Sequence, residues 1–465
     1  MPSKYMIHTR SVPNRFKTIS RSGVIAWEEG CLKCALCVKK QCVYGVYDNR
    51  ALDSRQMLES IDNQCMNCFR CVQSCPKELI HKSVIPEYKS LGDDYWTPDI
   101  ISKLWYQAET GKIPVSGAGY PGPFSGPGFD AMWTDMSEIV RPTRDGIHGR
   151  EYISTAIDIG KKPGRLSFSR EGELVGEIPR IISIPIPIIL KVPAFGSFSK
   201  ETIKGWAMAA KDLGTLLALP ETLLGNEPRD YGPHLIPILS GGGPKKGFSW
   251  KRSRVIEIPW NKDWRRTFDD LRKKNGHALV SLRLALREGI EERVISAIRG
   301  GISTIHIEAS DHGKAADRRE VFIRDGIRGV HLALVEAGVR DEVTLLASGG
   351  LAMAEHVAKS LICGADAVLI DIPLLVALEC RVCMRCAKGL PCPVEMEKAR
   401  PSWVARRVIN LLGAWHNQLL EVMGAMGVRD ARRLRGEAGR AMFYDDLDRS
   451  TFASLGSNAD GYELE

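Results

Sequence analysis

The chain has 465 residues, 44% hydrophobic and 26% charged, which excludes a disordered polymer or a disulfide-stapled miniprotein and leaves room for a small domain beside a large one. The formal net charge of +8, without aromatic interleaving or a recognised binding motif, argues against a nucleic-acid binder. The longest apolar run, Ile181 to Leu190, is interrupted by Pro185 and Pro187 and falls short of the roughly 18 residues of a membrane span, so a cytoplasmic protein without a transmembrane segment is expected.

Residues 1–95 read as a cluster domain. A basic arm (Lys4, Arg10, Arg15, Lys17, Arg21) comes first and is expected to wrap onto a neighbouring element. Two cysteine runs follow: Cys31, Cys34, Cys37 and Cys42, then Cys65, Cys68, Cys71 and Cys75, the last followed by Pro76. Three thiolates at two-residue gaps wrap one edge of an iron-sulfur cubane, and a more distant fourth closes a set. In the two-cluster ferredoxin pattern the fourth cysteine serves the other cluster. Cys31, Cys34, Cys37 and Cys75 are therefore assigned to one 4Fe-4S centre, and Cys65, Cys68, Cys71 and Cys42 to its neighbour. Zinc is the competing ligand, but structural zinc sites use separated pairs rather than triplets. Disulfides are not expected in a chain of this size without a signal peptide. Val43, where proline is usual, is a small departure.

Residues 96–180, with stretches such as Gly117 to Pro123, read as an extended connector that forms little regular core. Residues 181–375 carry eight short apolar runs suited to buried parallel strands: 188–193, 214–219, 234–239, 254–258, 278–283, 303–308, 343–348 and 367–371. Helical periodicity follows several of them, over 199–212 with Ser199 as cap, 263–274, 288–299, 321–337 and 354–363, whereas the links after the second and third runs are helix-poor. The fold class predicted is α/β, a (β/α)8 TIM-type barrel with an N-terminal 4Fe-4S ferredoxin-like domain. Its chemistry belongs at the C-terminal ends of the strands.

A third cysteine run, Cys380, Cys383, Cys386 and Cys392 with Pro393, occupies residues 376–400. Its spacing predicts a third cluster, again 4Fe-4S. The lone Cys363 belongs to no run. Residues 401–465 form a helical tail in which Arg429, Arg432, Arg433, Arg435 and Arg440 are expected to be solvated or ion-paired.

Glycines mark the strand ends. Ser348, Gly349 and Gly350 close the seventh strand where a barrel offers backbone amides to a phosphate, although a tight turn has the same composition. Ser240 and Gly241 open a second glycine loop, through Gly243, that suits a flexible connection equally well. Arg283, ending the fifth strand, would put a cation where a flavin ring accumulates negative charge on reduction. His306 and His312 are candidates for moving protons at the mouth, with a core role open for His306.

The order of these parts resembles the FMN-binding synthase portion of glutamate synthases fused to a ferredoxin domain. Val192 to Lys200 is similar to the element Met-Ser-Phe-Gly-Ala-Leu-Ser-Lys, Glu221 falls at the glutamate of Thr-Gly-Glu-Gly-Gly, Ser240-Gly241 at the start of Ser-Gly-Arg-Phe-Gly, and Ser348 to Leu351 at Asp-Gly-Gly-Leu. Arg433 to Glu437 with Gly439 and Arg440 matches the tail. The resemblance implies FMN against Ala194, Phe195, Gly196, Ser197, Ser199, Ser240, Gly241, Ser348, Gly349 and Gly350. It also implies catalytic work for Arg283, Glu221, His306 and His312. The family's third centre is a three-iron cluster on cysteines matching Cys380, Cys386 and Cys392, and Cys383 is the addition that predicts four irons here.

The differences fall on substrate loops. Arg283 stands for a lysine and Gly242 for an arginine; Pro259 to Asp263 replaces Gln-Gly-Ala-Lys-Pro-Gly, and Ala309 to Lys314 replaces Gly-His-Asp-Gly-Gly-Thr-Gly. Asp371 takes the place of a glycine that faces the flavin phosphate. The chain opens Met1-Pro2-Ser3 with no glutaminase half, so amination would draw on free ammonia or a separate amidotransferase subunit. Two functions follow: reductive amination of a 2-oxo acid with electrons passed through the clusters to FMN, or an FMN/iron-sulfur electron-transfer subunit of a larger redox complex. Either requires redox partner proteins.

Overall fold

The computed structural model describes residues 5–26, 30–32, 34–46, 65, 68–113, 128–134, 153–162, 167–175, 180–224, 229–240, 252–317, 320–437, 439, 441–444, 446–447 and 450–451. Gly241 to Gly243, Gly117 to Pro123, Lys4 and Arg440, singled out above, lie outside these residues.

A closed eight-stranded parallel barrel forms the body. Its strands are β1 (Ile188–Lys191), β2 (Leu217–Pro220), β3 (Leu235–Ile238), β4 (Val255–Pro259), β5 (Leu279–Ala285), β6 (Thr304–Glu308), β7 (Thr344–Ser348) and β8 (Ala367–Ile370). All eight coincide with the apolar runs. Each is covered by helices outside and packed side chains inside, so its sequence is almost continuously apolar rather than alternating. The seam closes where Val368 of β8 pairs with Ile188 of β1.

The first of the longer helices is α1 (Pro98–Thr110), preceding the barrel. Within and after the barrel come α2 (Lys200–Asp212), α3 (Trp264–Lys274), α4 (Ile290–Arg299), α5 (Ile323–Glu336), α6 (Ala354–Cys363), the short α7 (Ile372–Ala377) and α8 (Pro401–Ala425). The cap expected at Ser199 is present: its hydroxyl accepts from Thr202 N–H while the Thr202 hydroxyl accepts from Ser199 N–H, both at 3.3 Å. Short 3₁₀ turns at Glu221–Leu223 and Arg229–His234 stand in place of an α-helix after β2. Gly205 of α2 lies so close to Val404 of α8 that a Cβ there would come within 2.5 Å, which seals the C-terminal helix onto the barrel.

The segment read as a connector is regular over α1. Thr97 caps it, Pro98 occupies its first turn, and Gly111 closes it at φ +70°. Ile101, Leu104, Trp105 and Ala108 are buried at helical spacing. The surrounding glycines and prolines obscured this pattern; burial against α7 and α8 stabilises the helix.

At the N-terminus, Ser22–Ala26 pairs antiparallel with Ile80–Val84 and brackets both cysteine runs. The arm before it lies along α8. Asn410 receives Arg10 N–H at 3.1 Å and donates to the Arg10 carbonyl at 2.8 Å, and Arg407, fully buried, donates to the Asn14 side chain at 2.7 Å. In the tail, Arg432 pairs with Asp158 and Asp430, and Arg435 with Asp341 and Asp366, the ion-paired outcome. Among the described residues no helix is long and apolar enough to cross a membrane.

Candidate functional site

Charged side chains meet at the C-terminal mouth of the barrel although each sits in an apolar strand. Lys191 ends β1, Glu257 lies in β4, Arg283 in β5, His306 and Glu308 in β6, and Asp371 follows β8. The Lys191 ammonium contacts Glu308 Oε1 at 2.5 Å and Asp371 Oδ2 at 3.5 Å. Arg283 lies 3.5 Å from Glu257 Oε1 and 3.2 Å from Glu308 Oε2. Burial alone would raise the pKa of Glu308, but the two cations overcome it and hold the carboxyl at about 2. For Lys191 burial works in the opposite direction, and the charges of Asp371 and Glu308 prevail to raise its pKa. Asp311, beside this network, is raised first by burial and then by the charge of Asp371.

His306 sits beneath that layer. Its ring is fully buried, with Nδ1 2.8 Å from Glu257 Oε2 and Nε2 2.8 Å from Ser348 Oγ. Both nitrogens are engaged inside the barrel, which matches the core role left open for it. His312 is on the rim, 46% exposed at its side chain and 2.9 Å from Asp93 Oδ2.

Glu221 is buried at the end of β2, where its Oε1 accepts from Ser240 N–H at 3.0 Å and from the Ser240 hydroxyl, so two candidates from successive strands are brought together. Gly349 and Gly350 have φ of +99° and +67°, backbone open to glycine. A Cβ on Gly349 would meet the Ala309 carbonyl oxygen at 2.6 Å; one on Gly350 would meet Gly313 Cα at 2.5 Å. The β6 and β7 loops are thus pressed together. Tyr95 donates its hydroxyl to the Gly350 carbonyl at 2.5 Å, and Trp96 its indole N–H to the Asp311 carbonyl at 3.0 Å. The end of the cluster domain therefore roofs this side of the mouth.

Lys191, Glu257, Glu308 and Tyr95 were not among the residues expected from sequence. A usable signal existed for three of them: a charge inside Ile-Ile-Leu-Lys, Val-Ile-Glu-Ile-Pro or Thr-Ile-His-Ile-Glu has no solvent face in a parallel barrel and must find a partner.

All thirteen cysteines are among the described residues and none forms a disulfide. Cys37, Cys42, Cys65 and Cys75 pack with buried Cys71 around Val46 and Ile80, so both N-terminal runs share one small core. Cys31, Cys34 and Cys68 are exposed. Lys82 donates to the Cys65 sulfur and Leu79 N–H to the Cys75 sulfur at 3.4 Å. In the third run Cys380, Cys383, Cys386 and Cys392 line one recess together with Phe195, Gly196 and Ser197 from the loop after β1. Ser197 also donates to Glu397 at 3.2 Å, and the Gly92 N–H donates to the Arg381 carbonyl at 3.0 Å. The recess thus includes the loop after β1, and Arg381 on its lining is bonded to Gly92 near the end of the cluster domain. Among the described residues no three His, Cys, Asp or Glu side chains are closed to coordination distance. Cys363 is buried against Met132, and burial pushes its thiol up to about 12, the inert behaviour of a core cysteine.

Of the residues implied for a cofactor, Ala194 to Ser199 form one continuous segment beside this recess. Gly196 adopts φ +135° with the Phe198 ring 2.9 Å from where a Cβ would stand. Ser199 spends its hydroxyl on the cap of α2.

Residues 252–429 match the family model described as the conserved region in glutamate synthase. The archaeal glutamate synthase [NADPH] of Archaeoglobus fulgidus is 26% identical, over 88% of this chain and 91% of that relative. The archaeal-type glutamate synthase [NADPH] of Dehalococcoides mccartyi is 25% identical, over 88% and 92%. Among solved structures, a flavocytochrome b2 mutant aligns with 81% of this chain and 88% of its own at 13% identity, with a TM-score of 0.41. The chain is thus similar to the conserved region of glutamate synthase over residues 252–429 and to archaeal-type glutamate synthases over most of its length, and these likenesses support an oxidoreductase of the glutamate synthase type.

Proposed function

We propose that this chain is an iron-sulfur flavoprotein subunit that draws electrons from a redox partner and delivers them at the barrel mouth for reductive amination of a 2-oxo acid. The observation that carries this reading is the recess shared by the third cysteine run and Phe195 to Ser197. It supports an electron carrier held against the segment that, in the family resemblance, touches the flavin.

The residues fit FMN at the mouth. Arg283 and Lys191 bring two cations to the strand ends, and Asp371 is engaged by Lys191 and by the Ile372 N–H at 2.7 Å, so its charge is partly answered. Ala194 to Ser199, Arg283 and the Ser348 to Gly350 turn would hold the cofactor, which when bound would supply hydride transfer. Clusters on the cysteine runs would supply one-electron carriage. The protein's own part is to hold Arg283 as a fixed cation between Glu257 and Glu308, to exclude water with Tyr95 and Trp96, and to present His312 at the rim where protons exchange with solvent.

One observation favours the second reading, an electron-transfer subunit that no longer forms glutamate. Lys191 and Arg283 are both ion-paired to carboxylates, and a dicarboxylic 2-oxo acid would have to displace Glu308 from them. Anaerobic purification, flavin and iron analysis, and assay of 2-oxoglutarate with ammonia test both readings. Protein without flavin or iron would overturn the proposal. Replete protein that takes electrons but forms no amino acid would select the second reading.

A further inference from the structure

The three cysteine runs repeat one another in backbone conformation as well as in spacing. The residue after the second cysteine is left-handed in all three: Ala35 after Cys34 at φ +57°, Phe69 after Cys68 at +58°, and Met384 after Cys383 at +53°. The third residue after the fourth cysteine is left-handed too: Gly45 after Cys42 at +72°, Glu78 after Cys75 at +54°, and Glu395 after Cys392 at +42°. Five of these six carry side chains, for which the conformation is costly and persists only where the surroundings impose it. The same costly turns at the same two places, in runs where no position between the cysteines carries one residue in all three, need a common cause. A loop curled around one kind of object, with its amides turned inward toward sulfur, supplies that cause. The third run bears a further mark of it: the Val382 N–H donates to the Cys380 sulfur at 3.4 Å, as Leu79 N–H does to Cys75.

Resting on the iron-sulfur reading above, we infer that the third run is a self-contained ferredoxin-type half-site, with Cys383 as ligand of the fourth iron in a single 4Fe-4S cluster. Among the described residues no cysteine of the other two runs lines the recess, and Cys392 lines it together with Cys380, Cys383 and Cys386. Cys383 is half-buried on that recess, whereas a packing cysteine would resemble Cys363, which is buried among the helices. Its partners are thus set within one short segment, while the N-terminal runs share one small core.

The test uses full-length protein isolated and kept without oxygen, with iron and sulfide counted and the clusters followed by electron paramagnetic resonance and Mössbauer spectroscopy. The wild type is expected to hold about twelve irons and, as isolated, under about a tenth of a spin of three-iron signal per chain. Cys383→Ser is expected to raise that signal to about one spin per chain, while Cys363→Ser leaves it unchanged. About eleven irons with a strong three-iron signal in the wild type, unaltered by Cys383→Ser, would overturn the inference and leave the iron-sulfur reading standing. About eight irons, all in the N-terminal runs, would also overturn it. No iron after anaerobic reconstitution of folded protein would overturn both. The wild-type Mössbauer spectrum counts the irons of the third site even if the serine variant fails to fold.

Discussion

Lys191 and Asp371 stand 3.5 Å apart across the seam where the last barrel strand meets the first. The pair joins the end of β1 to the turn after β8, and Asp371 at the same time accepts from the Ile372 N–H at the start of α7. A helix start after the eighth strand is a place to hold a phosphate, and here a carboxylate already uses it. Asp371→Asn should therefore tighten FMN binding by about tenfold, since one negative charge is removed beside a dianion. Fluorescence titration of flavin-stripped protein reads the change, and equal affinity in both proteins would refute it.

Oxidation of reduced dye by 2-oxoglutarate with ammonia separates the two readings: the electron-transfer reading expects it weak or absent, because Lys191 and Arg283 are held by Glu308, Glu257 and Asp371. Brisk turnover that disappears in Arg283→Ala would instead establish glutamate formation. Arg283→Lys then separates charge from shape: a point charge cannot bridge Glu257 and Glu308 as the planar guanidinium does.

His331 offers a pH test away from the mouth. Burial, then the charges of Arg340 and Arg435, lower its pKa from 6.5 to about 4, and its Nδ1 accepts from Arg340 Nε at 3.0 Å. Between those two values the unfolded chain binds a proton that the folded protein refuses. This contribution is complete above pH 6.5, shrinks as pH falls, and levels off below about 4. His331→Asn keeps an acceptor and removes the titration, so the melting-temperature gap between wild type and variant should shift by a few degrees over that window. A gap independent of pH would count against the shift.

Arg407→Ala should cost about 3 kcal/mol, the scale of removing one member of a buried charged hydrogen-bond set. Arg407 donates to the Ala377 carbonyl at 2.7 Å and to Asn14 at 2.7 Å, tying α8 to the residues before the third cysteine run and to the N-terminal arm. Denaturant midpoints give the loss, and faster proteolysis around residues 10–15 should accompany it. A stable variant with a protected arm would show that the arm is held by its other contacts.

Several features were local enough to be read in sequence. Eight apolar runs announced eight strands because both faces of a parallel barrel strand are buried, and Ser199 announced its helix because a cap is settled within four residues. Cysteine spacing marked the three runs for the same reason. The tertiary structure alone decided which charges meet. Lys191, Glu257, Arg283 and Glu308 are scattered over more than a hundred residues, and only closure of the barrel brings their strand ends together. It also set Phe195 to Ser197 against the third cysteine run and made a buried helix of Pro98–Thr110 within a glycine- and proline-rich region. Ion pairing and burial depend on distance in space, and no window of sequence contains that distance.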